Sequence, residues 1–82
     1  MKKNKNHIGI DISKLSFDVA IKNENDKYLH FKFSNDSKGF TEFINLLDQN
    51  FSICVMEASG PYYLKLATYL FNKKVSVCVI NP

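Results

Sequence analysis

The sequence contains no arginine: all eleven of its basic residues are lysine. Arginine's planar fork is the side chain best suited to bidentate contacts with phosphate and guanine, and recognition of that kind is excluded. Lysine still binds phosphate as a point charge, so the net charge of +3 leaves a weak preference for nucleic acid. A solvated lysine surface explains the same composition, and charge alone does not decide function. No apolar run approaches the roughly 20 residues needed to cross a bilayer, which argues against a membrane partner. The opening Met1-Lys2-Lys3-Asn4-Lys5-Asn6 is basic but has no apolar signal-peptide core after it, because Asp11 and Lys14 interrupt the next stretch. The expected compartment is therefore the cytoplasm. Cys54 and Cys78 lack C-x-x-C spacing and make a poor zinc signal. Each lies within an apolar run and is expected to be a buried, reduced thiol. Internal repeats, linkers and low-complexity segments are absent too.

What is present is ordinary globular material, 45% apolar and 23% charged. A chain of 82 residues buries about 60% of its unfolded surface, enough for one small domain or part of one. Ile8, Ile10 and Ile12 alternate with Gly9, Asp11 and Ser13, the period of a strand. After a break at Ser13-Lys14, Phe17, Val19 and Ile21 resume the alternation, and Asn23-Glu24-Asn25-Asp26 forms a polar turn. Tyr28, His30 and Lys32 then alternate with Leu29, Phe31 and Phe33 in a third strand. Asp36 is the best N-cap for a helix whose stripe is Phe40, Phe43, Ile44 and Leu47, ending near Asn50. The run Ile53-Cys54-Val55-Met56 predicts a strand buried on both faces. Gly60-Pro61 opens a second helix with Pro61 in its first turn, its stripe being Tyr63, Leu66, Ala67 and Leu70. Asn72-Lys73-Lys74 closes that helix, and a last buried strand covers 75–80.

The order β-β-β-α-β-α-β predicts an α/β fold with a mixed sheet, its first strand central beside the fourth. Crossovers of one hand put both helices on the same face. The other face is then uncovered and expected to be apolar, which predicts self-association and a domain truncated before the helix that would cover it. Residues 1–82 thus read as a single, incomplete domain.

Two carboxylates stand out. Asp11 sits among isoleucine and glycine, and Glu57 follows Ile53-Cys54-Val55-Met56 and precedes Ala58-Ser59-Gly60. Charged residues are rarely buried unless paired or metal-bound. If their strands are adjacent and parallel, the two converge beyond the carboxyl edge of the sheet, where open α/β sheets bind ligands. A pair of carboxylates there suits Mg²⁺, with Mn²⁺ as substitute. A purely structural reading stands beside this one, with Asp11 bonded to backbone near the Ser13-Lys14 turn and Glu57 facing the second helix's N-terminus. Residue types alone do not separate the two. Lys14 either reaches a phosphate near Asp11 or fills an exposed turn. The amides after Gly60 offer a further anion site, less one donor at Pro61. Tyr62 and Tyr63 are expected to pack, and His7 and His30 lack metal-ligand spacing.

The blocks Ile8-Gly9-Ile10-Asp11-Ile12-Ser13-Lys14, with Leu15-Ser16-Phe17-Asp18-Val19-Ala20 after it, and Met56-Glu57-Ala58-Ser59-Gly60-Pro61-Tyr62, then Val79-Ile80-Asn81-Pro82, resemble the DEDD-type insertion-sequence transposases. That family includes the Piv DNA invertases and the bridge-RNA-guided recombinases. The resemblance implies an RNase H-like, RuvC-like nuclease domain, with Asp11 and Glu57 matching the first two of four acidic metal ligands. It implies a parent enzyme that cleaves and transfers DNA strands, with DNA and, in the RNA-guided members, a guide RNA as partners. The last two aspartates and a catalytic serine of a further domain would lie beyond Pro82; none of Ser13, Ser16 or Ser59 matches that serine. The fragment itself is expected to be inactive. The rival resemblance is to the sugar kinases and actin-like ATPases, which share the meander and an Ile-Gly-Ile-Asp opening. Here the turn Ser13-Lys14-Leu15 lacks the glycine of a tight phosphate loop.

Overall fold

Strict alternation along paired strands sends every second side chain to the same face, and that rule organises this molecule. The computed structural model describes residues 6–22, 25–47, 52–58 and 60–81. The elements are β1 (Asn6–Ile12), β2 (Ser16–Lys22), β3 (Tyr28–Ser34), α1 (Ser37–Leu46), β4 (Ser52–Glu57), α2 (Leu64–Asn72) and β5 (Ser76–Ile80). They form one five-stranded sheet in the order β3-β2-β1-β4-β5. The meander β1-β2-β3 is antiparallel, whereas β4 runs parallel to β1 and β5 parallel to β4. This is the mixed α/β sheet expected of an RNase H-like fold, with β1 central beside β4.

One face carries the core. Phe31, Val19, Ile10, Met56 and Val79 form a row across the five strands, and Leu29, Ile21, Ile8, Cys54 and Val77 form the next. Phe40, Phe43 and Ile44 of α1 and Leu66 and Leu70 of α2 close onto the same cluster, so both helices cover this face. Phe17 is the hub of an aromatic knot, with ring centroids 5.4 Å from Phe33, 6.1 Å from Phe40 and 5.5 Å from Phe43. Such pairs add roughly 0.5–1.5 kcal/mol each beyond the area they bury.

The opposite face is uncovered, but it is not the apolar surface expected. Its side chains include His7, Asp11, Asp18, Lys22, His30, Lys32 and Glu57, set there by the alternation, beside the apolar Ala20, Ile53, Val55 and Ile80 and the ring of Tyr28. Accordingly β4 is fully buried on one side alone, and β5 is a largely exposed edge strand. Cys78 pairs with Val55 on the open face and is exposed, contrary to expectation. Cys54 is buried, and that burial pushes its thiol up to about 12, which keeps it protonated and inert.

Both helices differ at their ends from the sequence reading. Within the described residues α1 stops at Leu46 with Leu47 extended; the expected end near Asn50 lies outside them, as do Asn23, Glu24 and Ser59 of the expected turns. α2 begins at Leu64, and Pro61 lies in the turn before it, whose carbonyl accepts from Leu64 N at 3.4 Å. The turn from α2 into β5 is a Schellman motif: Val75 N donates to Leu70 O at 3.0 Å and Lys74 N to Phe71 O at 3.0 Å. Lys74 takes the left-handed position there, with φ 63.

Two details at the start of α1 are absent from any periodicity. Asp36 caps it as expected, its Oδ1 accepting from Gly39 N at 3.0 Å and from Ser34 Oγ at 2.7 Å. Gly39 then packs so closely that a Cβ on it would overlap the Ser34 carbonyl. Gly39→Ala is expected to lower stability by about 1–3 kcal/mol or more through overpacking, read from urea denaturation, while Lys38→Ala on the exposed side changes little. The amide of Gly39, with Ser34 and the Lys38 amide and charge adding to it, holds the Asp36 carboxyl below its ordinary value. A depressed folded-state value means that this stabilisation is present above the unfolded carboxyl's pKa and is lost as pH falls through the folded one. Asp36→Ala should therefore flatten the acid limb of the stability curve, measured by denaturation between neutral and strongly acidic pH.

Candidate metal and nucleic-acid site

The site is a consequence of register. The tight connection between β1 and β2 pairs Ile12 with Phe17, which obliges Asp11 to face Asp18. On the other side of β1, Ile10 pairs with Met56, so the next residues, Asp11 and Glu57, lie abreast at the carboxyl ends of parallel strands. A row of five results on the open face: Lys32, Asp18, Asp11, Glu57 and Ile80. The row behind it is His30, Ala20, Gly9, Val55 and Cys78, small in its middle. Gly9 presents no side chain, and a Cβ there would meet nothing within 4 Å. The floor is thus low where the carboxylates rise beside it, forming a trough of about 590 Å³ lined by Gly9, Asp11, Asp18, His30, Val55 and Glu57 among others.

Asp11 and Glu57 are brought together, as the sequence reading required. They are exposed, however, and the argument from burial in an apolar strand does not apply to them. The structural alternative fares no better. The β1–β2 turn is closed by Ser13, whose N and Oγ both donate to Ser16 O, at 2.9 and 3.0 Å. The Asp11 carboxylate accepts none of these bonds. After Glu57 the backbone is tied to β5 through Ala58 N to Ile80 O at 2.9 Å, and no hydrogen bond or ion pair links the Glu57 side chain to α2 among the described residues. Both carboxylates are free of hydrogen bonds and ion pairs there. Asp18 has a cation 3.8 Å away at Lys32, in an exposed pair of the kind worth about 0–1 kcal/mol.

Asp18 is the site residue that residue types did not single out. The signal was available in the hairpin: a connection that pairs Ile12 with Phe17 leaves Asp11 no other partner. Directly opposed like charges destabilise a sheet. A fold that sets Asp18, Asp11 and Glu57 side by side therefore spends stability at this point. His30 joins the trough from β3, while His7 is exposed farther along the open face, toward the start of β1.

Oxygen-only carboxylate donors fit a hard cation such as Mg²⁺, which takes one or two carboxylates and keeps several waters. Among the described residues no three histidine, cysteine or acidic side chains form a ready group for one ion, so the fit is to a partial shell completed by water.

At the same edge of the sheet lies a second, smaller feature. Asn35, which follows β3, ties three connections together: its N donates to Leu15 O at 2.9 Å, and its Nδ2 donates to Ser13 O at 3.0 Å and to Tyr62 O at 3.2 Å. Its Oδ1 is buried and without a partner among the described residues, a cost of about 1–3 kcal/mol. That cost is borne by a side chain whose two donations fix the loops after Asp11 and Glu57 relative to each other. Lys14 is exposed in the first of these loops. Tyr63 packs on the core as expected, whereas Tyr62 is exposed at the surface. The expected anion site on the amides after Gly60 does not form as a helix start, since α2 begins four residues later.

Comparison with known proteins shows the family of the chain. The family model of the DEDD-type IS110 transposases, described as "Transposase", matches residues 8–82. Over 83 aligned residues the chain is 34% identical to the pilin gene-inverting protein of Moraxella lacunata, and equally so to that of Moraxella bovis. Each alignment covers 95% of this chain but 26% of the relative, so the chain spans about a quarter of the length of the curated proteins it matches. The rival reading as an actin-like or sugar-kinase-type lobe is set aside by the match, and the hand-closed turn at Ser13–Ser16, with no glycine in it, agrees. With the family model matching nearly the whole sequence, the chain belongs to the DEDD-type IS110 transposase family.

Proposed function

We propose that this chain supplies the first two metal-binding carboxylates, Asp11 and Glu57, to the catalytic centre of a DNA transposase or invertase. The observation that carries the proposal is the register that sets Asp18, Asp11 and Glu57 on three adjacent strands of an uncovered face. No hydrogen bond or ion pair engages Asp11 or Glu57 among the described residues, so their stability cost is unexplained by the fold alone. Bound there, Mg²⁺, or Mn²⁺ in its place, would supply activation of a water or hydroxyl and charge stabilisation at phosphorus. Asp11 and Glu57 would hold it, and Asp18 adds negative potential from the side. Gly9 leaves the space beside them open for a substrate backbone, because no side chain rises from the floor at that point.

For the parent protein the proposed activity is metal-dependent cleavage and transfer of DNA strands. The relatives' name, pilin gene-inverting protein, accords with a DNA substrate. Inversion needs two DNA segments held together, which favours a homo-oligomer, and the RNA-guided members of the family make a guide RNA a further proposed partner. The cytoplasm is the proposed compartment; there Cys78, exposed on the open face, stays reduced. The fragment holds half of the family's acidic set and is expected to bind metal weakly and to cleave nothing.

The test is Mn²⁺ titration of the 82-residue chain followed by amide NMR. Broadening should centre on Asp11, Asp18 and Glu57 and vanish in Asp11→Asn and in Glu57→Gln. Asp11→Asn should at the same time raise stability in metal-free buffer by roughly 0.2–1 kcal/mol, because it removes a like-charge pair with Asp18. Broadening scattered over the surface, or unchanged in both variants, would refute the metal site. In the full-length protein the same two substitutions should abolish strand transfer while leaving its expression intact.

A further inference from the structure

The corner built around Asn35 carries a positive charge that nothing in the fold uses. A cavity of about 260 Å³ there is lined by Lys14, Asn35, Pro61, Tyr62 and Lys65. Lys14 comes from the β1–β2 turn and Lys65 from the first turn of α2, and the Asn35 bonds to Ser13 O and Tyr62 O bring those two segments to one place. Both lysines are exposed, and neither takes part in an ion pair among the described residues. The ion pairs that do form there use Lys22 with Asp26 and Lys32 with Asp18, while Lys73 lies over the Tyr69 ring. Asp36, next to Asn35 in the chain, is committed to the Gly39 amide and Ser34 Oγ, and Asp11, three residues before Lys14, forms no ion pair with it among the described residues. Two lysines left unneutralised around one concavity raise the local potential for an anion. The position matters as much as the charge. Lys14 follows Asp11 by three residues and Pro61 follows Glu57 by four, so the corner sits at the same carboxyl edge as the carboxylate row.

We propose that Lys14 and Lys65 form a subsite for a phosphate of the DNA backbone, which anchors the strand beside the Asp11–Glu57 trough. This rests on reading the trough as a nucleic-acid site and adds a positioning contact to it. Lysine serves here as a point charge, so the contact is independent of base sequence. Asn35 sets the spacing of the two ammonium groups by fixing the loops that carry them, and Tyr62 walls the cavity between them.

The test is binding of the 82-residue chain to a 20-base-pair DNA duplex across a range of salt concentrations. Each phosphate neutralised contributes about 0.9 to the slope of log K against log salt. Loss of the one phosphate held by both lysines in Lys14→Ala/Lys65→Ala should therefore lower the slope by roughly 0.9. It should weaken binding to duplexes of unrelated sequence equally. The control pair Lys73→Ala/Lys74→Gly, at the opposite edge and with glycine chosen for the left-handed position, should leave the slope unchanged. An unchanged slope in the Lys14/Lys65 pair, with binding retained, overturns the subsite and leaves the metal reading standing. An equal drop in the control pair means diffuse attraction and overturns it too. Amide shifts at Lys14 and Lys65 with inorganic phosphate but none with the duplex make the corner a free-phosphate site, which also overturns the proposal. Absence of any binding by the unaltered chain overturns the DNA reading itself.

Discussion

The parallel pairing of β1 with β4 sets Ile8 against Cys54 and Ile10 against Met56, and both pairs point into the core. A slip of one residue between these strands would turn Met56 and Cys54 outward and bring Val55 and Glu57 in, burying a carboxylate with no partner. A slip of two would keep the faces but move Glu57 along the strand by about 6.6 Å, out of line with Asp11. The core resists it, because buried side chains of this size are each worth about 1.5–3 kcal/mol and are matched position by position. The bond from Ala58 N to Ile80 O fixes β4 against β5 in the same register. Placement of the two carboxylates is therefore enforced from the apolar side of the sheet, through side chains packed in the core on the opposite face.

That division of labour explains why the charged row is tolerated. The packed face, with its aromatic knot around Phe17 and two helices, supplies the stability. The open face then accommodates Asp18 opposite Asp11 and Glu57 beside it, at a cost that solvent exposure keeps modest. A glycine in the middle of β1 weakens that strand slightly, yet it leaves the floor of the trough empty. Residues that are poor choices for a sheet cluster at one place, a loss of stability that accords with the site proposed there.

Much of this was legible in the residues. Strict alternation revealed the strands, the 3.6-residue stripes revealed both helices, and their order implied β1 beside β4 and hence Asp11 beside Glu57. What alternation could not reveal was which face would be covered at each strand. The short run 53–56 reads as buried on both sides because isoleucine and valine tolerate half-exposure without leaving a trace in the pattern. Cys78 was misjudged for the same reason: an apolar neighbourhood in sequence is not one in space when the second face is bare. The start of α2 was set too early, since Gly60-Pro61 is as good a turn as a helix opening, and Pro61 fits both. Gly39 and Asn35 carry long-range constraints, a close approach to Ser34 and a three-way tie between loops, and neither has a local signature.

The same ties bear on the choice between two chemistries that open with the same four residues, Ile8-Gly9-Ile10-Asp11. A nucleotide-phosphate loop needs backbone amides turned outward after the first strand, which glycine permits. Here the Ser13 amide is turned inward, donating to Ser16 O, while Ser13 and Leu15 offer their carbonyls to Asn35. The Ser13 amide and the Ser13 and Leu15 carbonyls of the turn are therefore taken up within the fold, and its one charged group, the Lys14 ammonium, is exposed. What remains for Asp11 to face is Asp18 on one side and Glu57 on the other, oxygen ligands on both. On the proposed reading, a carboxylate in that company would share a cation, and the lysine three residues on would meet the anion that the cation brings near.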